Sequence, residues 1–366
     1  MSTLDRTRAA LEQGIAERLH LGAQLCASLD GRRYELAVGD ARPGVPMRPD
    51  TVNHWLSSGK PLAVVAIAQL WERGLLELDD PVAKHLPAFG NRGKEAVTIR
   101  HILTHTGGFR GWGTNWDRPL GQVLSDVMNL PLETGWSPGQ KAGYHPASSW
   151  FVLGELVRVL DGRPYDAYVR AMIADPLHMA DAWVGLPPDE YARYDGGGRL
   201  SFNYDTEQQL DPDERPPTPE EAARPSPGGG LRATAGDLVA FYEMLLARGE
   251  APGGQRVLLP QTVEAIVARH RVGLPDRTFG RAMDFGLGVI LNTDYTDPAK
   301  PMSYGYGPHA SMRTFGHGGN QSSMAFADPE RRLAVAWVCN GTPGEPRHQE
   351  RNRAINAAIY EDLGLA

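Results

Sequence analysis

The sequence has few of the residues that mark disulfide-rich, metal-binding or membrane proteins. Of its 366 residues only two are cysteine, Cys26 and Cys339, and neither stands in a metal-ligand spacing. Both are predicted to be small buried apolar residues. No stretch approaches the roughly 20 apolar residues of a membrane helix, and no internal repeat is present. Because the N-terminal segment, residues 1–8, is charged where a secretory signal is apolar, we expect a cytoplasmic protein.

Lysine is also scarce, and the net charge is negative. The 37 basic residues are outnumbered by 44 acidic ones, which gives a net charge of −7 without any block of like charge. Nucleic acid and membrane surfaces are therefore not expected partners. Only five of the basic residues are lysines, and because arginine cannot act as a base, each lysine is a candidate for proton transfer. The hydrophobic content of 41% is that of an ordinary globular protein.

Hydrophobic periodicity predicts helices and strands along most of the chain. Leu62–Trp71 is apolar on nearly every side, which predicts a helix buried on all sides. Asp30 and Gly31 form a hairpin signal between two short strands. The predicted helices cover residues 3–19, 62–71, 120–129, 146–160 and 237–246, with a closing helix that carries Ile355, Ile359 and Leu363; the predicted strands cover 22–29, 33–39, 284–291, 310–316, 322–327 and 332–339.

The order of these elements predicts a discontinuous organisation. Strands at both ends of the chain indicate one sheet assembled from the two termini, in a domain formed by residues 1–84 and 226–366. Residues 85–225 are predicted to form a mainly helical inserted domain. Its tail, about 186–228, is polar and rich in Gly and Pro, which predicts a long loop near 186–225. The fold class is therefore α/β (α+β).

Ser57 and Lys60 are the first candidates for chemistry. Residues three apart on a helical turn share a face, so the lysine amine can reach the serine hydroxyl. Serine needs a base at neutral pH, and burial ahead of an apolar helix lowers the pKa of a lysine enough to supply one. Ser58 lies off that face and is the weaker candidate. The alternative is a capping serine beside a solvated lysine, since Ser-x-x-Lys also occurs by chance.

Six segments, in order, resemble the serine β-lactamase-like family of class C β-lactamases, DD-peptidases, esterases and transacylases. The resemblance spans roughly residues 20–345. It is carried by SSGKPL at 57–62, LLELDDPV at 75–82, THTGG within 98–108, GGGLRATAGDL at 228–238, FGLG at 285–288 and FGHGG at 315–319.

The resemblance implies an antiparallel sheet flanked by helices, with an inserted helical domain and a site between them. It implies that Ser57 attacks a substrate carbonyl while Lys60 and Tyr144 move its proton, and that His317 belongs to a third motif that closes the pocket. The backbone N–H groups of Ser57 and Asn320 would form the oxyanion hole. No cofactor and no metal are implied.

Two departures from the family pattern affect the expected substrate. The second motif, commonly Tyr-x-Asn, reads Tyr144-His145-Pro146, so the Asn side chain that contacts a substrate amide in β-lactamases is missing. His317 occupies a position at which the family pattern can have a lysine. A neutral imidazole binds carboxylates weakly. Both changes disfavour β-lactams and cell-wall peptides without affecting ester chemistry.

Other residues are weaker candidates. Trp112, Trp116, His145, Gly318 and Gly319 are candidates for substrate binding, although burial of the tryptophans against the helical region is about equally consistent with the sequence. Tyr304 and Tyr306, flanked by glycines, are further residues within possible reach of the cleft. His101 and His105 have the spacing of half a zinc site, but the glutamate of His-Glu-x-x-His is absent.

The expected function is a serine hydrolase or acyltransferase that acts on small ester or thioester donors through an acyl-serine intermediate. The alternatives are a transacylase that passes the acyl group to an amine or alcohol acceptor, a β-lactamase or DD-peptidase, and a non-catalytic relative that binds a ligand in the same cleft. Cleft shape separates hydrolysis from transfer, and motifs do not encode it.

Overall fold

The computed structural model describes residues 4–207, 216–293 and 304–366 and is built around a seven-stranded antiparallel sheet. The order in the sheet is β10-β11-β12-β13-β1-β2-β3. The strands are β1 (Gly22–Leu29), β2 (Arg32–Arg42), β3 (Val45–Pro46), β4 (Asn53–His54), β5 (Trp183–Val184), β6 (Tyr204–Asp205), β7 (Leu231–Ala233), β8 (Pro275–Asp276), β9 (Arg281–Ala282), β10 (Ile290–Leu291), β11 (Phe315–Gly319), β12 (Ser323–Asp328), β13 (Leu333–Cys339) and β14 (Gly341–Thr342).

The helices cover both faces of this sheet. They also form most of the chain between the N-terminal strands and the C-terminal strands of the sheet. They are α1 (Asp5–Ala16), α2 (Lys60–Glu72), α3 (Val82–His85), α4 (Ile99–Leu103), α5 (Leu120–Asn129), α6 (Ser148–Asp161), α7 (Tyr165–Val169), α8 (Pro188–Gly196), α9 (Pro219–Ala222), α10 (Ala235–Leu246), α11 (Pro260–Val267) and α12 (Glu345–Asp362).

Strand β13 shows how the two faces are packed. Side chains alternate along a strand, and here Val335 and Trp337 point toward Ile359 of α12, whereas Ala334 and Ala336 lie in the core that contains α2 and α10. All seven residues of β13 are buried, since helices cover both sides of the sheet. The small alanines let α10 approach the sheet closely.

The prediction of a sheet built from both termini is confirmed. Strand β1 pairs antiparallel with β13 from the C-terminal part and with β2 across the hairpin. Asp30 and Gly31 both take positive φ, 51° and 80°, as the tight hairpin turn requires. The termini also meet at Thr7, whose hydroxyl donates to Asp362 at 2.8 Å. Cys26 and Cys339 are buried free thiols, as predicted.

Three predictions about elements were wrong in their extent. The segment 186–228 is not one loop, because the described part contains α8, β6 and α9; residues 208–215 lie outside the described residues. The strand predicted over 284–291 is reduced to β10, and the strand predicted over 310–316 begins only at Phe315 and runs to Gly319. These short strands lie among Gly-containing turns, where alternation extends over too few residues to fix their limits.

The division into two domains stays an interpretation. The elements between residues 85 and 225 are mainly helical, and one apolar core joins residues from both predicted domains, such as Val65 of α2 and Leu153 of α6. In the described part of the chain, no helix has both the length and the apolar character needed to span a bilayer.

Candidate active site

Ser57 lies in a short 3-10 helix, Leu56–Gly59, that runs directly into α2. Pro61 has no N–H to donate, which agrees with a first turn that is not yet α-helical. Leu56 adopts a φ of +50°, a conformation in which a branched side chain is strained and which is common next to functional residues. Gly59 allows the turn to approach β7, because a Cβ there would lie 2.6 Å from the Cβ of Leu231.

Lys60 is fully buried, and its amine contacts three oxygen atoms. Nζ lies 2.7 Å from Ser57 Oγ, 2.9 Å from the carbonyl oxygen of Pro146 and 2.6 Å from that of Gly228. It also lies 5.4 Å from the centre of the Tyr144 ring and 5.1 Å from that of Trp150. Burial lowers the pKa of Lys60 well below its ordinary value.

The three contacts determine where the proton of Ser57 can go. A neutral amine has two N–H bonds and one lone pair, and a carbonyl oxygen can only accept a hydrogen bond. The carbonyls of Pro146 and Gly228 therefore take the two N–H groups. In the neutral form the lone pair is therefore left to face Ser57 Oγ, and the serine hydroxyl is the group that can donate to it.

Tyr144 lies next to Ser57 in the same cleft. Burial raises the pKa of its phenol, a hydrogen bond with Ser57 acts in the opposite direction, and the charge of Asp276 raises it further. The backbone of Tyr144 is held by Asp276 Oδ1, which accepts its N–H at 3.0 Å, and by Thr278 Oγ1, which donates to its carbonyl at 2.9 Å. Asp276 in turn forms a buried ion pair with Arg271 at 3.0 Å.

His317 stands on β11 beside Tyr144, with the two ring centres 5.8 Å apart. Its Nδ1 lies 2.8 Å from the carbonyl oxygen of Gly318 and therefore donates to it. Nε2 is buried and has no hydrogen-bond partner in the described part of the chain. Burial, assisted by the charge of Lys60, lowers the pKa of His317 to about 3, so the ring is neutral at neutral pH.

Two residues that line the same cleft are candidates to supply backbone N–H groups. Within the described residues, neither Ser57 nor Asn320 donates its backbone N–H in a hydrogen bond. Ser57 lies in the first turn of its helix, where N–H groups have no partner within the helix. Both residues line the cleft with His317. Donors placed in this way suit an oxygen that becomes negative during a reaction.

The cleft has a volume of about 410 Å³. Most of the other residues that line the cleft belong to no recognisable motif, so no sequence signal indicated them. Tyr304 is the exception, because its flanking glycines made it a predicted candidate. The described lining of the cleft consists of Ser57, Tyr144, Pro146, Thr278, Phe279, Arg281, Ile290, Tyr304, His317, Gly318, Asn320, Glu345 and Gln349.

Comparisons with known proteins agree with this geometry. A family model described as Beta-lactamase matches residues 7–359. Esterase EstB of Burkholderia gladioli is 30% identical, with 97% of this chain and 94% of that protein aligned. Penicillin-binding protein 4 of Amycolatopsis lactamdurans is 28% identical over 87% of this chain and 81% of its own. The chain belongs to the beta-lactamase family.

A solved structure supports the fold assignment. The penicillin-binding protein homologue from Caulobacter crescentus superposes with a TM-score of 0.78, at 28% identity, and the match covers 97% of both chains. The beta-lactamase-like arrangement of an antiparallel sheet flanked by helices, expected from the sequence, is therefore confirmed.

The departure from the Tyr-x-Asn motif of the beta-lactamase family has a structural consequence. Pro146 supplies its carbonyl oxygen to Lys60 and its ring to the wall of the cleft. A backbone acceptor thus holds the amine, and no side-chain amide is available at this position. Ser58 is turned away from the cleft, because its Oγ donates to the carbonyl of His317 at 3.1 Å and lies 3.0 Å from Ser323 Oγ.

Most of the other predicted binding residues of this beta-lactamase-like site do not line the catalytic cleft. Trp112 is 62% exposed, and Trp116 stacks on Phe151 and lines a different cavity. Gly318 lines the cleft, whereas Gly319 packs against Trp55. His145 is fully buried; its Nε2 accepts the N–H of Phe109.

The two histidines with zinc-like spacing take part in local structure. His101 Nδ1 accepts the N–H of Thr98 at 3.2 Å in the capping box of α4. His105 Nδ1 accepts the N–H of His145 at 3.1 Å, and its ring lies 4.6 Å from that of Tyr144. His105 therefore packs against the ring of Tyr144 and supports its position.

Proposed function

We propose that this protein is a serine esterase or acyltransferase in which Ser57 is the nucleophile and Lys60 the general base. One observation carries the proposal: the buried Nζ of Lys60 lies 2.7 Å from Ser57 Oγ and is held there by two backbone carbonyls, those of Pro146 at 2.9 Å and Gly228 at 2.6 Å. A solvated lysine beside a capping serine would remain charged and would have no such arrangement.

In the acylation step, Ser57 Oγ forms a bond to the carbonyl carbon of an ester, and its proton passes to Lys60 Nζ. The carbonyl oxygen becomes an oxyanion that accepts hydrogen bonds from the N–H groups of Ser57 and Asn320. Tyr144 acts beside Ser57 as the proton carrier to the departing alkoxide, and Lys60 returns the proton to Tyr144. The bond from the carbonyl carbon to the leaving oxygen then breaks, leaving an acyl-serine and a free alcohol.

The acyl group then leaves Ser57 by the reverse sequence of proton transfers. Water as the acceptor gives a carboxylic acid, and an amine or alcohol as the acceptor gives an amide or ester. Both outcomes use the same residues, so the acceptor is decided by what the cleft admits. Product analysis with added amines and alcohols separates hydrolysis from transfer.

A small-molecule ester or thioester is proposed as the acyl donor. The cleft near Ser57 is bounded by Phe279 and Ile290, and His317 is neutral where a lysine would offer a fixed positive charge. Penicillin and cell-wall peptides carry a carboxylate that such a charge would bind. A relative that is 30% identical is named as an esterase, which supports the same choice.

Acylation of Ser57 is the test. Incubation with p-nitrophenyl acetate, read by intact mass, should give one acetyl adduct on the wild type, and Ser57→Ala should show neither adduct nor turnover. Ser58→Ala is the matched control, because its hydroxyl is adjacent in sequence but hydrogen-bonded to the carbonyl of His317.

An adduct that persists in Ser57→Ala, or maps to Ser58, would contradict the nucleophile assignment. Rapid turnover of a cephalosporin, exceeding that of simple esters, would replace the esterase proposal with a β-lactamase. A folded, soluble wild type that gives no adduct with any ester would favour a ligand-binding role. A cytoplasmic location stays a prediction, which cell fractionation tests.

A further inference from the structure

A second cavity, of about 400 Å³, lies beside the segment Gly228–Gly230. This segment separates it from the catalytic residues: the carbonyl of Gly228 accepts from Lys60, and the carbonyl of Gly229 accepts from His54 Nε2 at 2.7 Å. His54 lines the second cavity and Lys60 belongs to the first site. The cavity is therefore a distinct space next to the catalytic centre.

Arg232 is the residue that gives this cavity its character. It is the middle residue of β7 and pairs with His54 on one side and Trp183 on the other, so its backbone is occupied and its side chain faces the cavity. Only 9% of its surface is exposed. Within the described part of the chain, no hydrogen bond or ion pair of its guanidinium is present, although the pKa is lowered by burial only to about 10 and the group stays charged at neutral pH.

The cavity is also lined by two acidic residues. Glu221 and Asp117 also line the cavity, yet neither forms an ion pair with Arg232 among the described residues. The Glu221 carboxylate accepts the N–H of Thr218 in the capping box of α9. A buried guanidinium without an ion pair among the described residues carries a large desolvation cost, which a bound anion recovers through charge-assisted hydrogen bonds.

The walls indicate what accompanies the anion. Trp116, Phe202, Pro216 and Pro217 present ring and apolar surface around the guanidinium. We propose that this cavity binds a small carboxylate attached to an aromatic or aliphatic group, with Arg232 holding the carboxylate. The ligand is either the acid part of a substrate or product, or a separate small acid, and the shared chemistry is the carboxylate on an apolar body.

The proposal is tested by titrating the whole protein with benzoate in a calorimeter. Benzoate should bind, and the uncharged analogue benzamide should bind at least about tenfold more weakly, because it lacks the charge that Arg232 recognises. Arg232→Gln should lose binding by a similar factor and Arg232→Lys should restore part of it. Arg281→Gln is the matched control, since Arg281 lines the catalytic cleft and should leave benzoate affinity unchanged.

Absence of benzoate binding to the wild type, equal affinity for benzamide, or loss of binding in Arg281→Gln but not in Arg232→Gln would each overturn the proposal. The comparison of benzoate with benzamide needs no variant, so it remains decisive if Arg232→Gln does not fold. The titration needs no turnover either, so it is independent of the proposed esterase activity. In an ester hydrolysis assay, a benzoate-dependent rise in KM at constant kcat assigns the carboxylate to the substrate, and an unchanged KM assigns it to a separate ligand.

Discussion

At the scale of single residues, the reactivity of Ser57 depends on the protonation state of Lys60. The amine can accept the serine proton only when it is neutral, and burial favours the neutral form by lowering its pKa. The two carbonyls of Pro146 and Gly228 accept N–H groups in either state, so they position the amine without preventing proton transfer.

This arrangement predicts the pH dependence of acylation. The fraction of neutral Lys60 rises with pH, so kcat/KM should increase with pH and reach a plateau well below 10.5, the ordinary pKa of lysine. Lys60→Met should lower kcat/KM by about 10²–10⁴, the usual contribution of a general base. Lys60→Arg should not restore it, because a guanidinium stays protonated.

The measurement is kcat/KM for p-nitrophenyl acetate between pH 5 and 10, with folding of each variant checked by circular dichroism. Lys84→Met is the matched control, since its amine pairs with Asp80 at the surface. A rate that is independent of pH, or an Arg variant as active as the wild type, would show that Lys60 is not the base.

Four residues of the site could be predicted because each lies in a short segment of recognisable spacing. They are Ser57, Lys60, Tyr144 and His317. The residues that brace them could not. Asp276 and Thr278 contact Tyr144 from more than 130 positions away in the sequence, and nothing in their own segment signals that contact.

At the scale of elements, Asp276 of β8 forms a buried ion pair with Arg271 and also accepts the backbone N–H of Tyr144. Arg271 also donates to the carbonyls of Thr104 and Met283. Both side chains of the pair are almost completely buried. Removing the carboxylate therefore leaves a buried guanidinium without its counter-charge and releases the backbone N–H of Tyr144.

Asp276→Ala should lower the free energy of unfolding by about 3–5 kcal/mol, the usual effect of breaking one partner of a buried pair. Asp276→Asn, which keeps an oxygen for the N–H of Tyr144, should retain more kcat than Asp276→Ala at a temperature where both are folded. Urea unfolding and steady-state kinetics measure the two effects.

Asp79→Ala provides the comparison, because Asp79 is 72% exposed and pairs with Arg100 at the surface. Its expected cost is at most about 1 kcal/mol. Equal stability losses in the two alanine variants would refute the assignment of Asp276 as a buried support, and equal kcat in Asp276→Ala and Asp276→Asn would refute its positioning role.

Elements with a long, regular pattern were predictable, and short ones were not. The apolar run of α2 and the alternation within β1 and β2 extend over enough residues to fix their type. By contrast, α8 begins at a proline within a polar stretch. The side chains that it buries are those of two tyrosines, Tyr191 and Tyr194. A helix with so few apolar contacts is stabilised by what it packs against, which the local sequence does not contain.

At the scale of the whole molecule, burial of histidine links stability to pH. Seven of the eleven histidines have a pKa lowered mainly by burial: His20, His54 and His317 to about 3, His145 to about 4, His105 and His348 well below the ordinary value, and His101 below it. They are distributed over different parts of the fold. All of them therefore become exposed to solvent together only when the molecule unfolds. Asp237 acts in the opposite direction, because burial raises its pKa to about 6.

These shifts predict that the free energy of unfolding falls as the pH is lowered from 6.5 toward 3. Below 6.5 the unfolded chain takes up protons on its histidines while the folded chain does not, so each histidine removes up to about 1.4 kcal/mol of stability per pH unit. Asp237 offsets at most one of them between pH 3.8 and 6.

Urea unfolding at half-unit steps from pH 5 to 8 measures the slope of the free energy of unfolding against pH, and His20→Gln should reduce this slope by the contribution of about one proton. His178→Asn, at an exposed histidine whose positive φ an asparagine accepts, should leave the slope unchanged. A free energy of unfolding that is constant between pH 5 and 7, or a slope that His20→Gln does not alter, would mean that these rings are not kept neutral by burial.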